Sequence, residues 1–220
     1  MRDLVRHLSE IHLWAAARVA GRTTKLFPDS LAEIGESWPE LAVFWPDDED
    51  LVDWYLRTNA NLVEALRSAP ADLSAPTFLP ASSPLAMWAR RQANEITVHR
   101  FDAENAAGPT TDVDPVLAAD GIYEILYGFM SRKREFPATD DEVMHVHADD
   151  TGDDWYLKIG PQGISPAQPD GPADLVLTGT ASDLYFVLWN RKPDSSIAVA
   201  GDHALLAQWH SHNRVRWDLG

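Results

Sequence analysis

The sequence predicts an α+β protein, in which a helical N-terminal domain precedes a small α+β domain with an antiparallel sheet. Apolar residues recur at helical spacing through the first half of the chain. The pattern changes after about residue 112, where one more helix leads into short alternating stretches that are typical of strands. These observations divide the chain into a helical domain over residues 1–112 and an α+β domain over residues 113–220.

Three helices are predicted in the N-terminal domain. The first covers residues 2–20, where apolar residues lie three or four positions apart. Residues 22–47 hold three prolines and are predicted to form a long loop with room for one helical turn. A second amphipathic helix follows over residues 50–68. The third covers residues 84–107, because a Ser-Pro pair suits its cap and first turn and a Gly-Pro pair follows its end.

The C-terminal domain is predicted to begin with a helix over residues 115–133 and to continue into short strands. Apolar and polar residues alternate in these strands, and turns rich in Gly or Asp separate them. The predicted strands cover residues 143–148, 155–159, 164–167, 174–178 and 197–200. Two further helices are predicted over residues 182–190 and 202–212.

The composition excludes several classes of function. The formal net charge is −16, whereas binding to a phosphate backbone or an anionic membrane needs a basic surface, so we expect neither partner. The chain has no cysteine, so His, Asp or Glu must hold any metal, and any reactive thiol must come from another molecule. No signal peptide or membrane span is evident, which makes the cytoplasm the expected location.

One pair of residues on the third predicted helix points to metal chemistry. Glu95 and His99 are four positions apart and share a helix face, which lies between two apolar flanks and is predicted to point inward. A buried ionisable group is costly unless it is paired or coordinates a metal. His7 lies on the apolar stripe of the first helix and offers a third ligand. Two histidines and a carboxylate form a ligand set of catalytic zinc, but a core histidine with a hydrogen-bonded partner is an equal alternative.

The remaining histidines and acids are interpreted as surface features. His145 and His147 alternate on a predicted strand and share one face, which suits a metal or, as the preferred interpretation, solvent. His12 lies off the apolar stripe of the first helix and is predicted to be exposed. The acids of residues 149–154 lack the spacing of a calcium loop and are predicted to form a solvated turn.

Six segments spread along the chain form a specific combined pattern. Residues 2–8 read RDLVRHL, and residues 90–104 read RRQANEITVHRFDAE, in which three residues separate a Glu from His-Arg-x-Asp. The C-terminal half contributes VHADDT at 146–151, GTASDL at 179–184, LWNR at 188–191 and GDHALL at 201–206. Over nearly its whole length, the chain thereby resembles the mycothiol-dependent maleylpyruvate isomerase family.

The resemblance implies a DinB-like helical bundle that carries zinc, followed by a domain similar to a sterol carrier protein. The family's metal ligands would fall on His7, Glu95 and His99, which the helical faces also select. Family members usually have one more helix before the Arg-Asp-Leu segment. Because that segment begins at Arg2 here, the resemblance predicts either that the start was assigned downstream of the true one or that the bundle lacks its first helix.

The implied activity is the isomerisation of maleylpyruvate to fumarylpyruvate, with mycothiol as a low-molecular-weight thiol cosubstrate. The thiolate would add to the activated double bond of this small electrophile, and elimination after rotation would give the trans isomer. Arg191 is the candidate that would clamp the substrate carboxylates, although a structural salt bridge is an equal alternative. Two other functions stay open, namely transfer of mycothiol to another electrophile and a zinc-stabilised binding or regulatory module without turnover.

Overall fold

A computed structural model describes residues 1–21, 46–132 and 136–213 and divides the chain into two compact units between Pro109 and Thr110. The α+β class is confirmed, because the first unit is helical and the second combines a five-stranded sheet with helices. The loop predicted over residues 22–47 lies almost entirely outside the described residues. Within those residues, no helix is both long and apolar enough to cross a membrane.

Three helices are described in the N-terminal unit, at the predicted places. They are α1 (Arg2–Val19), α2 (Leu51–Ser68) and α3 (Pro84–Ala107). α1 packs against both α2 and α3. The apolar faces of the three helices supply a buried core that includes Leu13, Trp14, Trp54, Leu62 and Trp88. Burial of these large side chains is the main stabilising contribution in this unit.

The start and the rotation of α3 follow from its sequence. The Ser83 hydroxyl accepts a hydrogen bond from the backbone N–H of Ala86 at 3.1 Å, and Pro84 occupies the first turn, where its missing N–H costs nothing. Trp88 is fully buried in a T-shaped contact with Trp14 of α1, with ring centroids 4.8 Å apart. This contact fixes which face of α3 turns toward α1.

In the described part of the C-terminal unit there are three α-helices. They are α4 (Pro115–Tyr123), α5 (Ala181–Leu188) and α6 (His203–His212). α4 continues as a π-helical segment over Glu124–Phe129 and a 3₁₀ turn over Met130–Arg132. The predicted helix over residues 115–133 is therefore one helical region whose hydrogen bonding changes along its length.

The sheet of the C-terminal unit is mixed. Its strands are β1 (Glu142–Ala148), β2 (Asp154–Gly160), β3 (Gly163–Pro166), β4 (Leu175–Gly179) and β5 (Ala198–Gly201), in the order β3-β2-β1-β4-β5. The expectation of an antiparallel sheet is wrong for one pair, because β1 and β4 are parallel. The β1–β2–β3 meander occupies one edge of β1. After β3 the chain crosses to the other edge of β1, where β4 runs parallel to β1 and in the same direction as β3.

Candidate metal centre

Two histidines, one on α1 and one on α3, converge on one carboxylate oxygen of Glu95. His7 Nε2 lies 3.2 Å from Glu95 Oε1, and His99 Nε2 lies 3.2 Å from the same oxygen. The two imidazole rings meet edge to face, with centroids 5.1 Å apart. One potential ligand atom from each residue lies within 4.8 Å of the other two. The structure thus brings together the three residues that the sequence selected.

The three side chains of the cluster differ in how far they are exposed to solvent. Glu95 and His99 lie one turn apart on the face of α3, and His7 reaches them from α1. The exposed fraction of the side chain rises from 9% for Glu95 to 18% for His99 and 38% for His7. His7 is therefore the most accessible of the three side chains, and the carboxylate of Glu95 is the most shielded.

Arg91 holds the second oxygen of the central carboxylate. Its Nη2 donates to Glu95 Oε2 at 2.5 Å from one helical turn earlier, and the arginine is itself buried. Burial alone would raise the pKa of Glu95. Hydrogen bonds from His7 and His99 and the charge of Arg91 outweigh that effect and hold the pKa well below its ordinary value. The carboxylate is therefore ionised and keeps Oε1 directed at the two histidines.

Asp102 orients His99 from the other side of its ring. The Nδ1–H of His99 donates to Asp102 Oδ2 at 2.8 Å, which leaves Nε2 as the nitrogen that faces the cluster. Burial would lower the pKa of His99, but the hydrogen bonds to Asp102 and Glu95 outweigh it and raise the pKa to about 9. A carboxylate behind an imidazole is the usual support of a metal-ligating histidine.

The donor set fits a divalent metal. Two imidazole nitrogens and one ionised oxygen already converge, and both candidate ligands on α3 have their remaining polar atom held by a neighbour. Two histidines and one carboxylate are a donor set of catalytic zinc, in which the fourth position is left for water or substrate. Related divalent transition metals accept the same donors.

Sequence reasoning did not assign Arg91 or Asp102, although their spacing carried a signal. Arg91 precedes Glu95 by four residues, and Asp102 follows His99 by three, so both neighbours lie on the same helix face. A carboxylate flanked one turn away by an arginine, and a histidine flanked by an aspartate, are the expected supports of a preorganised ligand pair.

The prediction that His12 is exposed is wrong. The residue is fully buried, with its Nδ1 3.4 Å from the Thr58 hydroxyl and its Nε2 3.5 Å from the side-chain nitrogen of Asn59. Burial lowers the pKa of His12 to about 4, against a smaller opposing effect of Glu95. The physical reason is that α1 packs against two helices, so it buries more than the single stripe that periodicity indicates.

Arg191 lies in the C-terminal unit, directly after α5. Its backbone N–H donates to the carbonyl of Phe186 at 2.7 Å, and its Nη1 donates to the carbonyl of Trp189 at 2.8 Å. The preceding residue, Asn190, has a positive φ of 58° and turns the chain at the helix end. Part of the guanidinium is thus engaged locally, and its role as a carboxylate clamp stays a prediction.

Comparison with known proteins links both units to one family. The family model for the mycothiol maleylpyruvate isomerase N-terminal domain matches residues 1–104, and that for the MDMPI C-terminal domain matches residues 116–208. No curated protein sequence gives a significant match. The chain is similar to the crystal structure of the mycothiol-dependent maleylpyruvate isomerase, with 13% identity, a TM-score of 0.55, and coverage of 90% of this chain and 76% of that one. A mutant of that enzyme matches with 14% identity and the same TM-score and coverage. The chain therefore belongs to the mycothiol-dependent maleylpyruvate isomerase family.

Proposed function

We propose that the chain is a metal-dependent, mycothiol-using enzyme that converts the cis double bond of maleylpyruvate, or a close relative, to trans. The observation that carries this proposal is the convergence of His7 Nε2 and His99 Nε2 on the same oxygen of Glu95. Family membership supports the same conclusion, as does the lack of cysteine, which leaves the thiol to a cosubstrate.

His7, Glu95 and His99 would hold the metal, and zinc is the best match to their donor atoms. When bound, the metal would lower the pKa of a coordinated thiol and keep it as a thiolate at neutral pH. Arg91 keeps Glu95 ionised and limits its rotation, and Asp102 accepts a hydrogen bond from Nδ1 of His99 and so orients the ring with Nε2 toward the cluster. The exposure of His7 leaves an entry for the thiol and the electrophile.

The reaction requires no oxidant and no net proton transfer. Reversible addition of thiolate sulfur to one alkene carbon moves the electron pair onto the conjugated carbonyl and leaves a carbon–carbon bond that can rotate. When the carbon–sulfur bond breaks again, the same thiolate leaves and the trans isomer remains. Arg191 is proposed to bind a substrate carboxylate, because a guanidinium offers two parallel donors to a planar carboxylate.

The first test combines metal analysis with an activity assay. The wild-type protein should contain about one zinc per chain in this cluster and should isomerise maleylpyruvate only when mycothiol is present. His99→Ala and Glu95→Gln should each contain one zinc fewer per chain than the wild type and should lose the activity. Glu104→Gln is the matched control, since Glu104 lies on the same helix outside the cluster, and its carboxylate is 3.8 Å from the guanidinium of Arg100. Equal metal content and activity in all four proteins would contradict the proposal.

The fate of the thiol separates isomerisation from S-transfer. Isomerisation returns every mycothiol that it uses, so the free thiol concentration should stay constant while the product accumulates. Transfer to an electrophile would consume one thiol for each product formed. A protein that binds zinc in this cluster but shows neither reaction with the substrates tested would instead favour a metal-stabilised binding or regulatory module.

A further inference from the structure

The outer face of the C-terminal sheet carries a second group of potential ligands. Burial alternates along β1 and β2, so that Met144 and Val146 face the core with Trp155 and Leu157. The intervening residues face away from the core. They are His145 and His147 on β1 and Asp154 and Tyr156 on β2, and the antiparallel register sets His147 opposite Asp154 and His145 opposite Tyr156.

Both histidines meet Asp154 at a single oxygen. His145 Nε2 lies 2.6 Å from Asp154 Oδ1, and His147 Nδ1 lies 2.9 Å from the same atom. The imidazole centroids are 6.2 Å apart, and the three potential ligand atoms all lie within 4.8 Å of one another. The three residues belong to two paired strands, so backbone hydrogen bonds already hold their Cα atoms in position.

Neighbouring groups restrict the two imidazole rings. His145 stacks on Tyr156 with centroids 4.3 Å apart and an interplanar angle of 4°. The outer nitrogen of His147, Nε2, lies 3.6 Å from Asp149 Oδ1, which places a carboxylate near the ring on the side away from the cluster without a hydrogen bond to it. Both side chains therefore lose little further conformational entropy when they bind an ion.

We propose that His145, His147 and Asp154 form a second metal site, which binds a divalent transition metal such as Zn²⁺ and joins β1 to β2. Two imidazole nitrogens favour zinc and its neighbours over Mg²⁺ and Ca²⁺, which prefer oxygen ligands. The side chains of His147 and Asp154 are 36% and 43% exposed, so water can complete the coordination shell. The site shares no residue with the N-terminal cluster and does not depend on the function proposed for that cluster.

Zinc binding by the full-length protein tests this site when the N-terminal cluster has been disabled. The metal-free His99→Ala protein is dialysed against Zn²⁺, and its bound metal is compared with that of the double variants His99→Ala/His147→Ala and His99→Ala/Asp154→Asn. The matched control adds His203→Ala, which removes an exposed histidine of the same unit outside the cluster. We expect about one zinc in the single variant and the control, and at least a tenfold weaker affinity in the other two.

Two further measurements keep the result independent of folding defects. Circular dichroism checks that all variants retain their secondary structure, and Asp154→Asn preserves the shape of the side chain if His147→Ala does not fold. Thermal unfolding should show a zinc-dependent rise of Tm in the His99→Ala protein that is lost in its Asp154→Asn derivative, since a ligand that binds only the native state stabilises it. Absence of zinc from the His99→Ala protein, or equal zinc in the Asp154→Asn derivative, would overturn the proposal and leave a hydrogen-bonded cluster only.

Discussion

His12 makes the stability of the N-terminal unit depend on pH in a defined window. The pKa of His12 is about 4 in the folded protein, whereas the ordinary value of 6.5 applies to the unfolded chain. As the pH falls below 6.5, His12 becomes protonated in the unfolded chain but stays neutral in the folded protein. Stability contributed by neutral His12 is therefore complete above the unfolded pKa and is lost progressively as the pH falls toward the folded pKa.

The size of this effect follows from the two pKa values. The difference between them corresponds to a maximum loss of about 3 kcal/mol in the free energy of unfolding. At pH 7.5 almost no protein carries the proton in either state, so the effect is close to zero. At pH 5.0 the unfolded chain is nearly fully protonated, and the expected loss is about 2 kcal/mol.

The assay compares urea unfolding of the metal-free wild-type protein and His12→Gln at pH 7.5 and 5.0. Gln is polar and does not titrate, so the variant should lack this part of the pH dependence whatever its stability at neutral pH. The control is His203→Gln, since His203 is exposed. Between pH 7.5 and 5.0, the free energy of unfolding should fall by about 2 kcal/mol more in the wild type and the control than in His12→Gln. Equal losses in all three proteins would refute the reasoning.

Three further predictions concern the candidate site and the helix that carries it. Asp102→Asn should weaken zinc binding by about 10- to 100-fold in chelator competition without abolishing it, because it removes the carboxylate behind a ligand while leaving the ligand itself. Arg191→Met should raise the KM for the dicarboxylate substrate by about 10- to 100-fold, and Arg191→Lys should raise it less, in steady-state kinetics; an unchanged KM would exclude the clamp. Ser83→Ala should cost about 1 kcal/mol in urea unfolding, because it deletes the cap of α3, and no loss would mean that the cap contributes nothing.

Helical periodicity was sufficient to indicate that His7, Glu95 and His99 come together, whereas their role as metal ligands stays a prediction. The four-residue spacing of a helix face is fixed by backbone geometry before any tertiary contact is known, so a polar pair between apolar flanks can be recognised from the sequence. Periodicity was insufficient for His12, because α1 is covered by α2 as well as α3. The number of neighbours that a helix has is a property of the assembled fold, and one helix alone does not reveal it.

The direction of β4 illustrates a second limit of the sequence. Its alternation of buried and partly buried residues identifies a strand correctly, but the same alternation suits a parallel or an antiparallel neighbour. The position of β4 depends on which edge of β1 is free, because β2 already pairs with the other edge. Its direction depends on the path of the chain between β3 and β4, which is a property of the assembled sheet that the local pattern of β4 does not contain.

The position of Asp154 could have been predicted more fully from the alternation of apolar and polar residues. Sequence reasoning places it at the end of a solvated turn, and the structure places it on β2 opposite His147. The apolar residues Trp155 and Leu157 must share the core face with the apolar positions of β1, because a shift of one residue would expose them both. That requirement alone puts Asp154 on the outer face with the two histidines of β1. The hypothesis of a metal ligand set on this face was thus available from the parity of two adjacent strands, whereas the distances that make it testable required the structure.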